Sequence, residues 1–180
     1  DRTDDENPVL GNAFARHLRD TLPETPPAYT DPTFDRYFSD LGALAAEELR
    51  LGNTRRGVEL YELAHGLIRD KPYTPPADAP AALRRDPRAY STAFYLAVAC
   101  LRLGEVTNCV HGHSSESCIL PIRGGGVHVH QQGARQAVAV LEALLDELPG
   151  NTSLGIAGRW LLNIAYMALG WFVGFLLLVE

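Results

Sequence analysis

The chain has 180 residues, 46% of them hydrophobic, and a formal net charge of −6. One domain with a proper buried core is within its reach, and nucleic acid is a poor partner, because no basic stripe is there to neutralise phosphates. The charge is uneven: residues 1–40 hold nine Asp/Glu against four Lys/Arg, so an acidic arm precedes a nearly neutral body.

The chain starts at Asp1, and Asp-Arg-Thr-Asp-Asp-Glu suits the mature side of a cleavage site. Residues 1–33 read as an acidic, Pro-rich arm with a short helix over 12–22, after which Pro23, Pro26, Pro27 and Pro32 enforce an extended path. From 34 to 51 apolar residues recur at helical spacing: Phe34, Tyr37, Phe38, Leu41, Leu44, Ala45, Leu49. Gly52-Asn53 supplies a stop and Thr54 a cap for a second helix reaching about Asp70, with Leu60, Leu63, Ala64 and Leu67 as its buried face. So short a turn makes the two an antiparallel hairpin. A proline-rich connector over 71–88 follows. A third helix is expected from about Pro87 to Leu103, ended by Gly104, a fourth over 131–148, and a fifth from Thr152 or Ser153 to Leu169 or beyond. Between the third and fourth lies a long loop with a short extended piece at 127–130. The fold class is all-α: an irregular tetratricopeptide-like stack of helical hairpins, with a long Cys/His loop and an apolar C-terminal helix.

Twenty residues from Trp160 to Val179 carry no formal charge, a length that matches a bilayer span. Residues 171–180 read as an apolar extension of a 34–170 helical domain. The segment 160–179 is expected to be buried in protein, in a partner or in a membrane.

The run Asn108-Cys109, His113, Ser117-Cys118-Ile119, Pro121-Ile122, Gly124, Gly126-Val127-His128, Gly133-Ala134-Arg135 resembles a recurring block. So does Arg159-Trp160-Leu161-Leu162-Asn163-Ile164-Ala165-Tyr166-Met167, with Leu169-Gly170. Both look like the N-terminal helical-repeat region of bacterial proteins related to cartilage acidic protein 1 and the ASPIC/UnbV proteins. The resemblance covers about residues 35–170 and is specific over 105–170. It implies an exported protein and transfers no catalytic activity. The β-propeller that follows in that family is absent, and after Gly170 this chain turns apolar where the family continues polar.

The loop concentrates two of three cysteines and four of six histidines. A Cys109–Cys118 disulfide would close a short Gly/Ser-rich loop and stabilise by roughly 2.5–3 kcal/mol in the chain-entropy view. It needs an oxidising compartment, in agreement with the export that the resemblance implies. Cys100, among apolar neighbours on a helix, reads as a buried thiol. The alternative is a metal site. His111-Gly-His113 and His128-Val-His130 are two His-x-His pairs, and in extended backbone each would present two imidazoles on one face. Zinc or copper would then be held by His111, His113, His128 and His130, or by two of these with the cysteines. A third option is that the histidines only bond loop backbone. Gly124–Gly126 could turn amides toward an anion but lacks the Lys and Ser/Thr of a phosphate loop. Arg123 and Arg135 are expected to pair with Glu105, Glu116 or the acidic arm. Asn151-Thr152-Ser153 is a formal glycosylation acceptor.

The sequence thus points to a non-enzymatic, exported helical scaffold or accessory subunit, without cofactor, that binds protein subunits of a larger assembly and contacts a membrane through its C-terminus. The alternatives are a metal-binding or redox protein centred on residues 109–130, and a fragment of a longer exported propeller protein.

Overall fold

A computed structural model describes residues 11–74, 85–112, 114, 116, 120–148 and 150–171. Among the described residues the secondary structure is helical: α1 (Ala13–Thr21), α2 (Phe34–Arg50), α3 (Thr54–Ile68), α4 (Pro87–Gly112), α5 (Gln132–Leu145) and α6 (Ser153–Ala168). Each helix packs against the next in the chain, and α4 also touches α6. One main core runs through the stack, from Ala15 and Leu18 of α1 to Leu161, Leu162 and Ala165 of α6. The all-α expectation holds.

The ends of the helices follow from local chemistry. Both α2 and α6 close with a reversal in which glycine adopts positive φ, +83° at Gly52 and +76° at Gly170. In each, the next residue's N–H reaches back to a carbonyl in the last turn, Asn53 to Glu48 at 2.8 Å and Trp171 to Tyr166 at 2.9 Å. Pro87 opens α4 with its fixed φ, and the buried Asp86 accepts from the Arg88 backbone N–H at 2.9 Å. Thr152 caps α6, its hydroxyl accepting from Gly155 N–H at 3.0 Å. That employs the middle residue of the glycosylation-type triplet in helix capping.

Three expectations are corrected. Gly104 does not end α4, which continues to Gly112. A Cβ built on Gly133 would lie 2.5 Å from the Cys100 carbonyl oxygen and 2.8 Å from Gly104 N, so the two glycines mark a backbone-to-backbone crossing of α4 and α5. Gly104 is there for space, and packing overrides its weak helix propensity. On α3, Leu63 is 41% exposed, while Val58, Tyr61 and Ile68 are buried beside Leu60 and Ala64. The buried stripe is rotated because Gly57 lets α3 press against Leu49 of α2. Finally, 160–179 is not one continuous helix: α6 stops at Ala168 and Gly170 reverses the path, while residues 172–179 lie outside the described residues. Among the described residues the helix long and apolar enough to cross a membrane is α4, and it packs between α3, α5 and α6. The piece expected to be extended at 127–130 begins so, with Val127 at φ −64° and ψ 133°, and pairs into no strand.

Candidate functional site

The extra turns of α4 place Cys109 and His111 on a helix rather than in a loop. His113 and Cys118 lie outside the described residues, and with them the expected disulfide. Cys109 is exposed on the last turns of α4, and Cys100 is buried, its thiol pushed up to about 12 by burial and the neighbouring Glu62.

His128 and His130 also part company. His128 is 6% exposed, its backbone N–H bonds Ala168 O at 2.8 Å, and its ring lies over Gly104. Burial depresses its pKa and favours the neutral ring. His130 is exposed on the other side of Val129. Of the four-histidine set, His111, His128 and His130 are described, and His128 is committed to the core. Among the described residues no three His, Cys, Asp or Glu side chains converge as metal ligands would. What the fold does bring together is one histidine from each pair, His111 and His130, with ring centroids 4.7 Å apart and planes tilted by 60°. Asn108 makes this possible. Its amide oxygen accepts from His130 N–H at 2.9 Å and its amide nitrogen donates to His130 O at 3.0 Å, so it holds that backbone as a neighbouring strand would.

The glycine run at 124–126 forms one turn of 3-10 helix, and the Gly125 N–H donates to a Glu116 carboxylate oxygen at 2.7 Å. The anion facing these amides is thus the chain's own. Arg135, expected to pair with an acid, donates instead to Gln131 Oε1 at 2.9 Å and lies 5.9 Å from the Trp171 ring centroid.

Elsewhere the helices leave a groove of about 410 Å³ between α2 and α4, over α3. Gly42, Ala46 and Ser91 contribute little bulk, and a Cβ on Gly42 would meet nothing within 4 Å. Phe38, Tyr61 and Tyr95 supply its aromatic lining, the two tyrosines stacked at 6.0 Å. Arg88 closes one end, its guanidinium 5.5 Å from the Phe38 centroid and bonded to Asp86 and Asp35. Tyr95 is 52% exposed, so the groove opens to solvent.

The outer face of α6 is apolar as well. Ile156 and Trp160 are 56% and 55% exposed, and half-buried Met167 follows at helical spacing beyond the polar Asn163. The helix carries one charge, Arg159, which donates to Gly150 O at 2.7 Å.

No family model, curated protein or solved structure matches this chain. The resemblance over 105–170 therefore rests on the quoted residues alone, and the chemistry of these three places is what functional inference has to work with. Sequence reading missed the groove and the Asn108 clamp. The groove had a signal, small residues at Ser39, Gly42 and Ala46 on one side of α2, which mark close approach or open space rather than core. The clamp had none, since it joins residues 22 apart.

Proposed function

We propose that the chain is a non-enzymatic helical scaffold of tetratricopeptide-like character, an accessory subunit whose α2–α4 groove docks an apolar segment of a protein partner in a larger assembly. The groove's construction carries this reading: open space over small residues, aromatic walls that supply area at low entropy cost, and a paired arginine at the rim. The hairpins α2/α3 and α4/α5, with α6 opening a third unit, support a repeat description in which adjacent units share one concave surface. The exposed Ile156 and Trp160 on the outer face of α6 favour a role within an assembly, because apolar surface of this kind is ordinarily covered. Export, and a disulfide-stapled loop compatible with it, belong to the same reading through the resemblance over 105–170.

The test is selection from a random-peptide display library on the whole chain, repeated with Gly42→Leu and Ser91→Leu, which fill the groove from its helical walls. Peptides with aromatic or aliphatic anchors should bind the natural chain and lose at least about tenfold in affinity, about 1.4 kcal/mol, on either filled variant. Equal binding to the filled variants, or no selected peptides at all, would overturn the proposal.

A further inference from the structure

We infer that His111 and His130 form a two-imidazole chelate for a divalent transition ion of the Zn²⁺ or Cu²⁺ class. It is independent of the groove and takes one histidine from each His-x-His pair.

The geometry comes first. Two imidazoles bound to one tetrahedral ion at about 2.0–2.1 Å hold their ring centroids roughly 5 Å apart. His111 and His130 stand at 4.7 Å with a 60° tilt, close to that separation and not stacked face to face. Both are fixed by the protein itself. His111 Nδ1 is 2.7 Å from Thr107 O, a carbonyl that only accepts, so Nδ1 carries the proton and Nε2 offers its lone pair. This is the support that metal-binding histidines usually have, one ring nitrogen on a backbone carbonyl and the other on the ion. His130 is held through its backbone by both atoms of the Asn108 amide. Chelation therefore costs little ordering of the two residues.

The electrostatic setting points the same way. His111 sits in the last turn of α4, a 26-residue helix, where the partial negative charge of unpaired carbonyls favours a cation. The His130 side also borders a cavity of about 500 Å³ lined by Glu59 and Glu62 as well as Arg55. Nitrogen donors select the ion: Mg²⁺ and Ca²⁺ require oxygen ligands, whereas imidazole suits zinc and copper. Two protein ligands leave the other coordination positions to water or to a donor on a partner.

The experiment is a calorimetric titration of the full, reduced chain with ZnCl₂, alongside His111→Gln, His130→Gln, a Cys109→Ser/Cys118→Ser double variant, and His17→Gln as a control on α1. Both target rings are exposed, so the substitutions leave the core untouched. One ion should bind per chain, each target variant should lose at least about tenfold in affinity, and the control and the thiol variant should bind as the natural chain does. Zinc binding that survives both histidine substitutions, disappears with the cysteines, or is absent from the natural chain would overturn the inference.

Discussion

Glu48 lies on α2 at 2% exposure, yet it is held as a carboxylate. The Arg19 guanidinium of α1 donates to one oxygen at 2.7 Å and the Asn53 amide to the other at 2.7 Å. The Arg19 bond pulls the carboxyl below its ordinary pKa, burial opposes this, and Asn53 and Arg56 add to the pull. Glu48→Gln should cost about 1 kcal/mol at pH 7, toward the low end for charged hydrogen bonds, because Arg19 is more than a third exposed and is screened. A folded pKa below the unfolded one places the stabilisation above about pH 4.3 and removes it as pH falls through the folded value. Urea midpoints at pH 7 and pH 3 check this: the natural chain should lead at pH 7 and converge with the variant in acid.

At the scale of the element, glycine positions separate crossings from open surface. Gly133→Ala drives a methyl group into the backbone of α4 at the Cys100 carbonyl and Gly104, neither of which can swing aside. It should lose about 1–3 kcal/mol. Gly66→Ala on α3 meets nothing within 4 Å and should gain up to about 1 kcal/mol of helix propensity. Opposite shifts in thermal midpoint are the expected signature. The same glycines show what could be read from the chain. Gly52 was legible as a stop because a turn residue and a new apolar pattern follow it at once. Gly104 misled because its reason lies at Gly133, 29 residues away, in a helix crossing that no local window contains. The buried stripe of α2 was legible from its period. That of α3 was legible at Leu60 and Ala64 but not at Leu63, which is exposed, nor at Tyr61 and Ile68, which are buried. At the site, all four histidines were flagged, but the sequence paired neighbours and the fold pairs His111 with His130. Period-two reasoning fails once α4 extends through 112.

At the scale of the whole molecule, two of the apolar surfaces among the described residues differ in kind. The α2–α4 groove is concave, whereas the Ile156–Trp160 face of α6 is a convex apolar strip on the last described helix. Trp160→Glu with Ile156→Lys should leave stability within about 0.5 kcal/mol, since both side chains are more than half exposed. It should shorten retention on a hydrophobic-interaction column and reduce concentration-dependent association in sedimentation velocity. Unchanged sedimentation and retention would mean that the strip contributes nothing to self-contact.

Asn108 fastens to His130, and two residues earlier His128 N–H fastens to Ala168 O. The stretch of chain between Asn108 and His130 thus has both ends tied to the helical body, whatever runs between them. Doubling the length of a tethered loop costs only about 0.6 kcal/mol in closure entropy. Closure entropy therefore sets little limit on how much sequence could be inserted between Gly112 and Leu120, whereas the 109–112 end of α4 and the buried His128 stay part of the helical body. A foreign epitope or a whole small domain could ride there as cargo, with the helices beneath it registering little of the added load.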